Sequence, residues 1–200
     1  MTINTVRKPR LLVLRIGHRI QRDVRVTTHV CLTARALGAD GVIISDVNDR
    51  RLCETIDRVK SRFGGLFTIE TGKSMRRVIA DWKKGDGKIV HLTAYGLPLP
   101  SIINQIRASN ADKLVVVGAE KVPGELFHLA DWNVAVTSQP ISEVSALGIF
   151  LDWLFEHRGL QQEFANAKLR IIPTEHGKRV EQTYPSDVEA SLPLNPHNVP

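Results

Sequence analysis

A chain of 200 residues, 42% of them hydrophobic, has the apolar content for one good-sized α/β domain, and no run in it approaches the roughly 18 consecutive apolar residues of a membrane-spanning helix. Its formal net charge is +6, yet the segment from Arg7 to Arg35 alone holds eight Lys or Arg against one acidic residue, Asp23, while the remainder carries 19 basic and 20 acidic residues. The basicity is therefore local, which favours a polyanion such as nucleic acid over a membrane surface as the partner.

The N-terminal Met-Thr-Ile-Asn-Thr-Val-Arg has no apolar core of a signal peptide, so a cytoplasmic protein is expected. Arg10 to Ile16 is a short apolar run of the kind that makes a buried strand, and Gly17 lets the chain turn. A loop carrying Arg19, Arg22 and Arg25 follows. Thr27 or Thr28 can cap the next helix, in which Val30, Ala34 and Leu37 repeat at helical spacing until Gly38. Three guanidinium groups at steps of three thus fall between a strand end and a helix start, where free N–H groups and the helix dipole already favour anions. Planar guanidinium forks suit bidentate phosphate contacts.

Val42 to Ser45 reads as a second strand, and Asp46 or Asn48 can cap a helix carrying Leu52, Ile56 and Val59 up to Gly64-Gly65. Cys31 and Cys53 both fall in predicted helices and are expected as reduced core thiols, and the seven histidines lack metal-ligand spacing, so no metal is predicted. Leu66 to Glu70 is a third strand and Lys73 to Lys84 a helix with Met75, Val78, Ile79 and Trp82 on one face. Lys88 to Thr93 is strand four; Pro98 can begin a helix through Ile102, Ile103 and Ile106. Leu114 to Gly118, a short helix from Pro123 to Ala130, and Trp132 to Val136 complete the alternation. Alternating strands and helices, with aliphatic strands lacking a polar face, predict an α/β fold with a mostly parallel sheet covered by helices on both faces.

Ile141 to His157 is the longest predicted helix. It carries two apolar stripes, one of Val144, Leu147, Leu151 and Leu154 and one of Ala146, Ile149, Phe150 and Trp153, which predicts a second subunit against the outer face. Lys168 to Pro173 can add a last strand. From Thr174 onward, with Pro185, Pro193, Pro196 and Pro200, a flexible extension is expected, so that residues 1–173 form the domain and 174–200 the tail.

Ligands of an open parallel sheet bind beyond the carboxyl ends of its strands. That selects the arginine loop, Thr93 to Gly96, Gly118 to Pro123 and Thr137 to Glu143. No Gly-x-Gly-x-x-Gly and no P-loop motif follows a strand, which argues against a Rossmann NAD enzyme and a P-loop NTPase.

Leu14-Arg-Ile-Gly-His-Arg, Arg22-Asp-Val-Arg-Val-Thr-Thr-His-Val, Leu32-Thr-Ala-Arg-Ala, His91-Leu-Thr-Ala-Tyr-Gly, Val117-Gly-Ala-Glu-Lys-Val-Pro and Gln139-Pro-Ile-Ser-Glu-Val together resemble the archaeal tRNA 2′-O-methyltransferase family acting on cytidine 56 of the T-loop, a branch of the SPOUT superfamily. The resemblance runs from about Leu11 to Pro173. It implies a C-terminal trefoil knot that binds S-adenosylmethionine, a tRNA substrate met at its elbow, and a homodimer. Carried over by position, the cofactor would contact Leu92, then Gly118, Ala119, Glu120, Lys121 and Val122, then Val136, Thr137, Ser138, Gln139, Pro140, Ile141, Ser142 and Glu143. The family's Gly-Asn-Gln-Pro-His-Ser-Glu is changed here, with Thr137, Ser138 and Ile141 in place of Gly, Asn and His. Related enzymes assign handling of the hydroxyl proton to an arginine in their first motif. That position falls near Leu32 here, so the catalytic candidates are Arg25, Arg22 and Arg19. An arginine stays protonated, so its expected role is to bind phosphate and orient the ribose. The altered loop supports a second reading, a non-catalytic RNA-binding protein on the same scaffold.

Overall fold

The computed structural model of the protein describes residues 8–118 and 122–183. Six strands, β1 (Leu11–Ile16), β2 (Gly41–Ile44), β3 (Thr68–Thr71), β4 (Lys88–Pro98), β5 (Lys113–Gly118) and β6 (Trp132–Ala135), form one sheet in the order β3-β2-β1-β5-β4-β6. Every pairing is parallel. Successive side chains of a strand point to opposite faces, and here both faces are dry. Leu11 and Val13 join a core with α1 (Val24–Ala36), α2 (Arg50–Phe63), α4 (Leu99–Ala108) and α6 (Glu143–Leu154). Leu12, Leu14 and Ile16 join another with α3 (Met75–Lys84) and the short α5 (Leu126–Leu129). The sheet is thus covered on both faces, as the alternation predicted. Among the described residues no helix is long and apolar enough to cross a membrane.

Several boundaries differ from the sequence reading for identifiable reasons. α1 starts at Val24 behind Asp23, not behind Thr27 or Thr28, so Arg25 lies in its first turn. α2 is capped by Asp49, whose carboxylate accepts from the Leu52 N–H at 3.0 Å, not by Asp46 or Asn48. β4 runs past Thr93 to Pro98 because Leu92 and Leu97 both face Val134, and the residues between them bulge out. α6 is shorter than Ile141 to His157: Glu156 and His157 have φ of 53° and 64°, which no α-helix continues. Its apolar residues also divide differently. Of the stripe read as Ala146, Ile149, Phe150 and Trp153, Ala146 and Phe150 are buried in the core, and only Ile149 and Trp153 stay exposed, at 40% and 37%.

The described residues fall into two compact units, one of 8–56 and 67–162, the other of 57–66 and 163–183. In the second, β7 (Leu169–Ile172) and β8 (Arg179–Gln182) form an antiparallel hairpin. Residues 174–182 therefore complete a hairpin where an extension from Thr174 was expected. Gly177 supplies the positive φ, 95°, of its turn. Arg-Val-Glu-Gln is too short and polar a strand for periodicity to reveal. Residues 184–200, with the four prolines of the tail, lie outside the described residues.

Candidate active site

The carboxyl ends of β1, β4, β5 and β6 meet at one edge of the sheet. At the end of β1 the chain turns on Gly17, φ 73°, into His18, which is buried. The His18 Nε2 lies 3.1 Å from Asp49 Oδ2 and its Nδ1 2.9 Å from Thr27 Oγ1. Both ring nitrogens are therefore tied, one to the cap of α2 and one to α1, and the arginine loop departs from a fixed point. Arg19 is held by Asp23 through Nε at 2.8 Å, Nη2 at 3.0 Å and its backbone N–H at 3.0 Å. These bonds hold the Asp23 carboxyl down at about 2, against the opposing effect of burial. They also explain why Asp23 makes no side-chain cap to α1.

Arg22 and Arg25 are exposed beside the start of α1 and have no side-chain partner among the described residues. The first turn of α1 holds no acidic residue. Cations at a helix N-terminus oppose its dipole, so this arrangement is favourable only when an anion joins it.

Two cavities open at this edge. The larger, about 730 Å³, is walled by Ile16, Gly17, His18 and Arg19 after β1, Asp46 after β2, Ser74 to Arg76 at the start of α3, and Gly118, Val122, Pro123 and Glu125. Arg76 Nε is 2.8 Å from Glu125 Oε1. The smaller, about 220 Å³, lies between the ends of β4, β5 and β6. Leu92 to Ala94, Val117, Gly118, Val134, Val136, Thr137, Pro140, Ile141, Glu143 and Ala146 line it. The bulge of β4 forms one side of it and needs Gly96, where a Cβ would stand 2.5 Å from the Asn133 carbonyl carbon. Gly118 lines both cavities.

Of the residues selected from sequence for the cofactor, Leu92, Gly118, Val136, Thr137, Pro140, Ile141 and Glu143 come together around the smaller cavity. Val122 faces the larger one. Ser138, Gln139 and Ser142 belong to the same loop but do not line it. The Gln139 N–H donates to Thr137 Oγ1 at 3.3 Å, and Ser142 Oγ caps α6 by accepting from the Val144 N–H at 3.2 Å. Ala119, Glu120 and Lys121 lie outside the described residues. Of the three candidate arginines only Arg19 lines either of these two cavities; Arg22 and Arg25 are exposed on the surface.

Sequence reasoning missed Arg15, His18, Asp46, Asp49, Ser74 and Arg76. For Arg15 a signal existed: it is the one charge within the strand Leu-Leu-Val-Leu-Arg-Ile and is fully buried. The others come from separate parts of the chain, and only the fold brings them to one edge.

Residues 63–181 match the family model described as tRNA ribose 2′-O-methyltransferase, aTrm56. The chain is similar to the tRNA (cytidine(56)-2′-O)-methyltransferase of Methanopyrus kandleri, 53% identical over 88% of this chain and 98% of that one. In fold it resembles a crystal structure of an RNA 2′-O ribose methyltransferase, at a TM-score of 0.56 and 16% identity over 76% of this chain. It also resembles the SpoU methyltransferase AviRb of Streptomyces viridochromogenes in complex with AdoMet, at a TM-score of 0.53 and 18% identity over 76% of this chain. The chain spans 58% and 59% of the lengths of those two structures.

Proposed function

As the chain belongs to the tRNA ribose 2′-O-methyltransferase family, we propose that its two cavities divide that reaction, the smaller holding S-adenosylmethionine and the larger receiving the ribose of the target nucleotide. The activity is S-adenosylmethionine-dependent 2′-O-methylation of cytidine 56 in tRNA. One observation supports the division: Gly118, at the end of β5, lines both cavities, so that they adjoin at one residue.

The lining of the smaller cavity fits the cofactor chemically. Leu92, Val134, Val136 and Ile141 offer apolar walls for a purine, loop backbone offers hydrogen bonds to its edge, and Glu143 offers a carboxylate to a cation. Thr137 and Ile141, which replace the family's usual Gly and His, take part in this wall. When bound, the cofactor supplies an electrophilic methyl group on a sulfonium. Everything else required of the protein is placement, because an in-line attack by the 2′-oxygen depends first on the two reactants being held in register. Arg19, braced by Asp23, lines the larger cavity and is the group assigned to orient the ribose and its phosphate. Arg22 and Arg25 grip flanking phosphates outside it. Opening the tRNA elbow to free the nucleotide requires on the order of a few kcal/mol, which such contacts can supply.

The protein works as a homodimer on this reading. Ile149 and Trp153, exposed on α6 next to the cofactor loop, support it. The order of β5, β4 and β6 in the sheet supports the trefoil knot expected of the family. A tRNA substrate supports cytoplasmic residence.

The test is methylation of unmodified tRNA with nucleotide mapping, alongside cofactor binding by calorimetry. Gly118→Val adds a branched side chain at the residue that lines both cavities; it is expected to abolish S-adenosylmethionine binding and methyl transfer while leaving tRNA affinity within a few-fold of wild type. Normal cofactor binding by this variant would disprove the division.

A further inference from the structure

β1 buries Leu11 and Val13 on the sheet face that carries α1 and α6, and the next residue on that face is Arg15. Its side chain is fully buried. Nη2 donates to Glu143 Oε1 at 2.9 Å, Nη1 donates to the Ile16 carbonyl at 3.2 Å, and Nε has no partner. A guanidinium in this position is an expensive choice. Aliphatic residues fill the same strand on either side, and a buried ion pair is commonly replaced by apolar side chains without loss of stability. Stability therefore does not explain Arg15, and its partner does. Glu143 is 128 positions away, opens α6 and is the one charged side chain among the described residues that line the smaller cavity. Oε2 of Glu143 has no partner among the described residues, so one oxygen is fixed from below and the other is available to a ligand.

We propose that Arg15 is a positioning residue that fixes the Glu143 carboxylate in the wall of the smaller cavity, where it pairs with a positively charged group of the bound cofactor. The inference rests on the reading of that cavity as the cofactor site. The cofactor carries two such groups, the sulfonium and the α-ammonium, and a carboxylate recognises either by the same chemistry. Arg15 serves this role from beneath because Nη1, bonded to the Ile16 carbonyl, anchors the planar guanidinium whose Nη2 donates to the carboxylate, where Lys offers only a point charge. Burial pulls the Arg15 pKa below the usual guanidinium range and Glu143 opposes that shift, so the pair holds its charge where a lone guanidinium would be disfavoured.

The experiment is calorimetric binding of S-adenosylmethionine, S-adenosylhomocysteine and methylthioadenosine to the full chain and to Glu143→Gln, Arg15→Met, Arg15→Lys, the Glu143→Gln/Arg15→Met double variant and Gly118→Val, each first shown to be folded by its thermal transition. Glu143→Gln and Arg15→Met are each expected to weaken S-adenosylmethionine binding at least ten-fold, Arg15→Lys less, and the double variant no further than Glu143→Gln alone. Methylthioadenosine, which lacks both cationic groups, should bind all of these variants except Gly118→Val as it binds wild type. If the pairing is with the sulfonium, S-adenosylhomocysteine affinity stays unchanged in Glu143→Gln; if it is with the α-ammonium, that affinity falls in parallel. Wild-type S-adenosylmethionine affinity in folded Glu143→Gln, with binding lost in Gly118→Val, overturns the proposal and leaves the cavity assignment standing. Wild-type affinity in Gly118→Val overturns the assignment and the proposal with it. Losses that add in the double variant would make Arg15 a scaffold residue acting independently of Glu143, which also refutes the inference.

Discussion

Arg19, Arg22 and Arg25 are equally spaced in sequence but unequal in place. Arg19 lines the larger cavity with its guanidinium bonded to Asp23, while Arg22 and Arg25 flank the helix start in solvent. Arg19→Ala is therefore expected to lower the single-turnover methylation rate at saturating tRNA by a hundred-fold or more with little change in affinity. Arg22→Ala and Arg25→Ala should each weaken tRNA binding and flatten its log–log salt dependence by about one unit, as expected for the loss of one phosphate contact. Wild-type rates in Arg19→Ala would remove it from the reaction. The arginine spacing was legible in the chain; the difference in their surroundings was not, because the Asp23 carboxylate is engaged by Arg19 and α1 starts three and four residues before Thr27 and Thr28. His91 shows a different consequence of burial. It is fully buried on β4, with Nδ1 2.8 Å from Asn133 Oδ1 and its ring edge-on to Phe127 at 4.9 Å. The Asn133 amide donates to the Phe127 carbonyl, which leaves its oxygen to accept and assigns the proton of neutral His91 to Nδ1. Burial lowers the His91 pKa below 6.5, and the bond to Asn133 only partly opposes this. The unfolded chain thus takes up a proton first as pH falls, so the stability present above about 6.5 is lost as pH drops towards the folded value. Urea unfolding as a function of pH should show this decline, and His91→Leu should flatten it.

Among the elements, α6 carries the sharpest contrast between the two faces of a helix. Phe150 is fully buried and Trp153, three residues on, is 37% exposed. Phe150→Ala is expected to destabilise the protein by about 3–5 kcal/mol, and Phe150→Asp to unfold it. If the protein is the homodimer proposed, Trp153→Asp should instead give a folded monomer, with light scattering reporting the mass and circular dichroism the retained fold; a wild-type protein that already runs as a monomer at micromolar concentration would refute the proposal. The two stripes of α6 could be read from periodicity, and so could the need for more than one covering surface. The membership of each stripe could not. α6 packs against both α1 and α4, which takes Ala146 and Phe150 into the core and leaves a narrower outer patch. β4 makes the same point for strands, since Tyr95-Gly-Leu-Pro98 looks like a loop leaving the strand until Leu97 and Pro98 are seen to pair again with β6.

For the molecule as a whole, cofactor binding and folding are linked. A ligand that binds only the native state stabilises it by about 2.7 kcal/mol at a hundred times its Kd, so saturating S-adenosylmethionine should raise the wild-type Tm and leave that of Gly118→Val unmoved. A thermal-shift titration measures both. The sequence by itself determined the α/β class, the sheet buried on both faces and the single basic focus, because each is written in local hydrophobic period or charge spacing. Tertiary structure alone decided that β5 lies beside β1 and β6 beside β4, so that Gly118 borders two cavities at once. It alone set Arg15 under Glu143 and His18 between Asp49 and Thr27. Such pairs join residues far apart in the chain, and their attraction is strong only after the sheet and helices have excluded water around them, a condition that no local pattern in a sequence encodes.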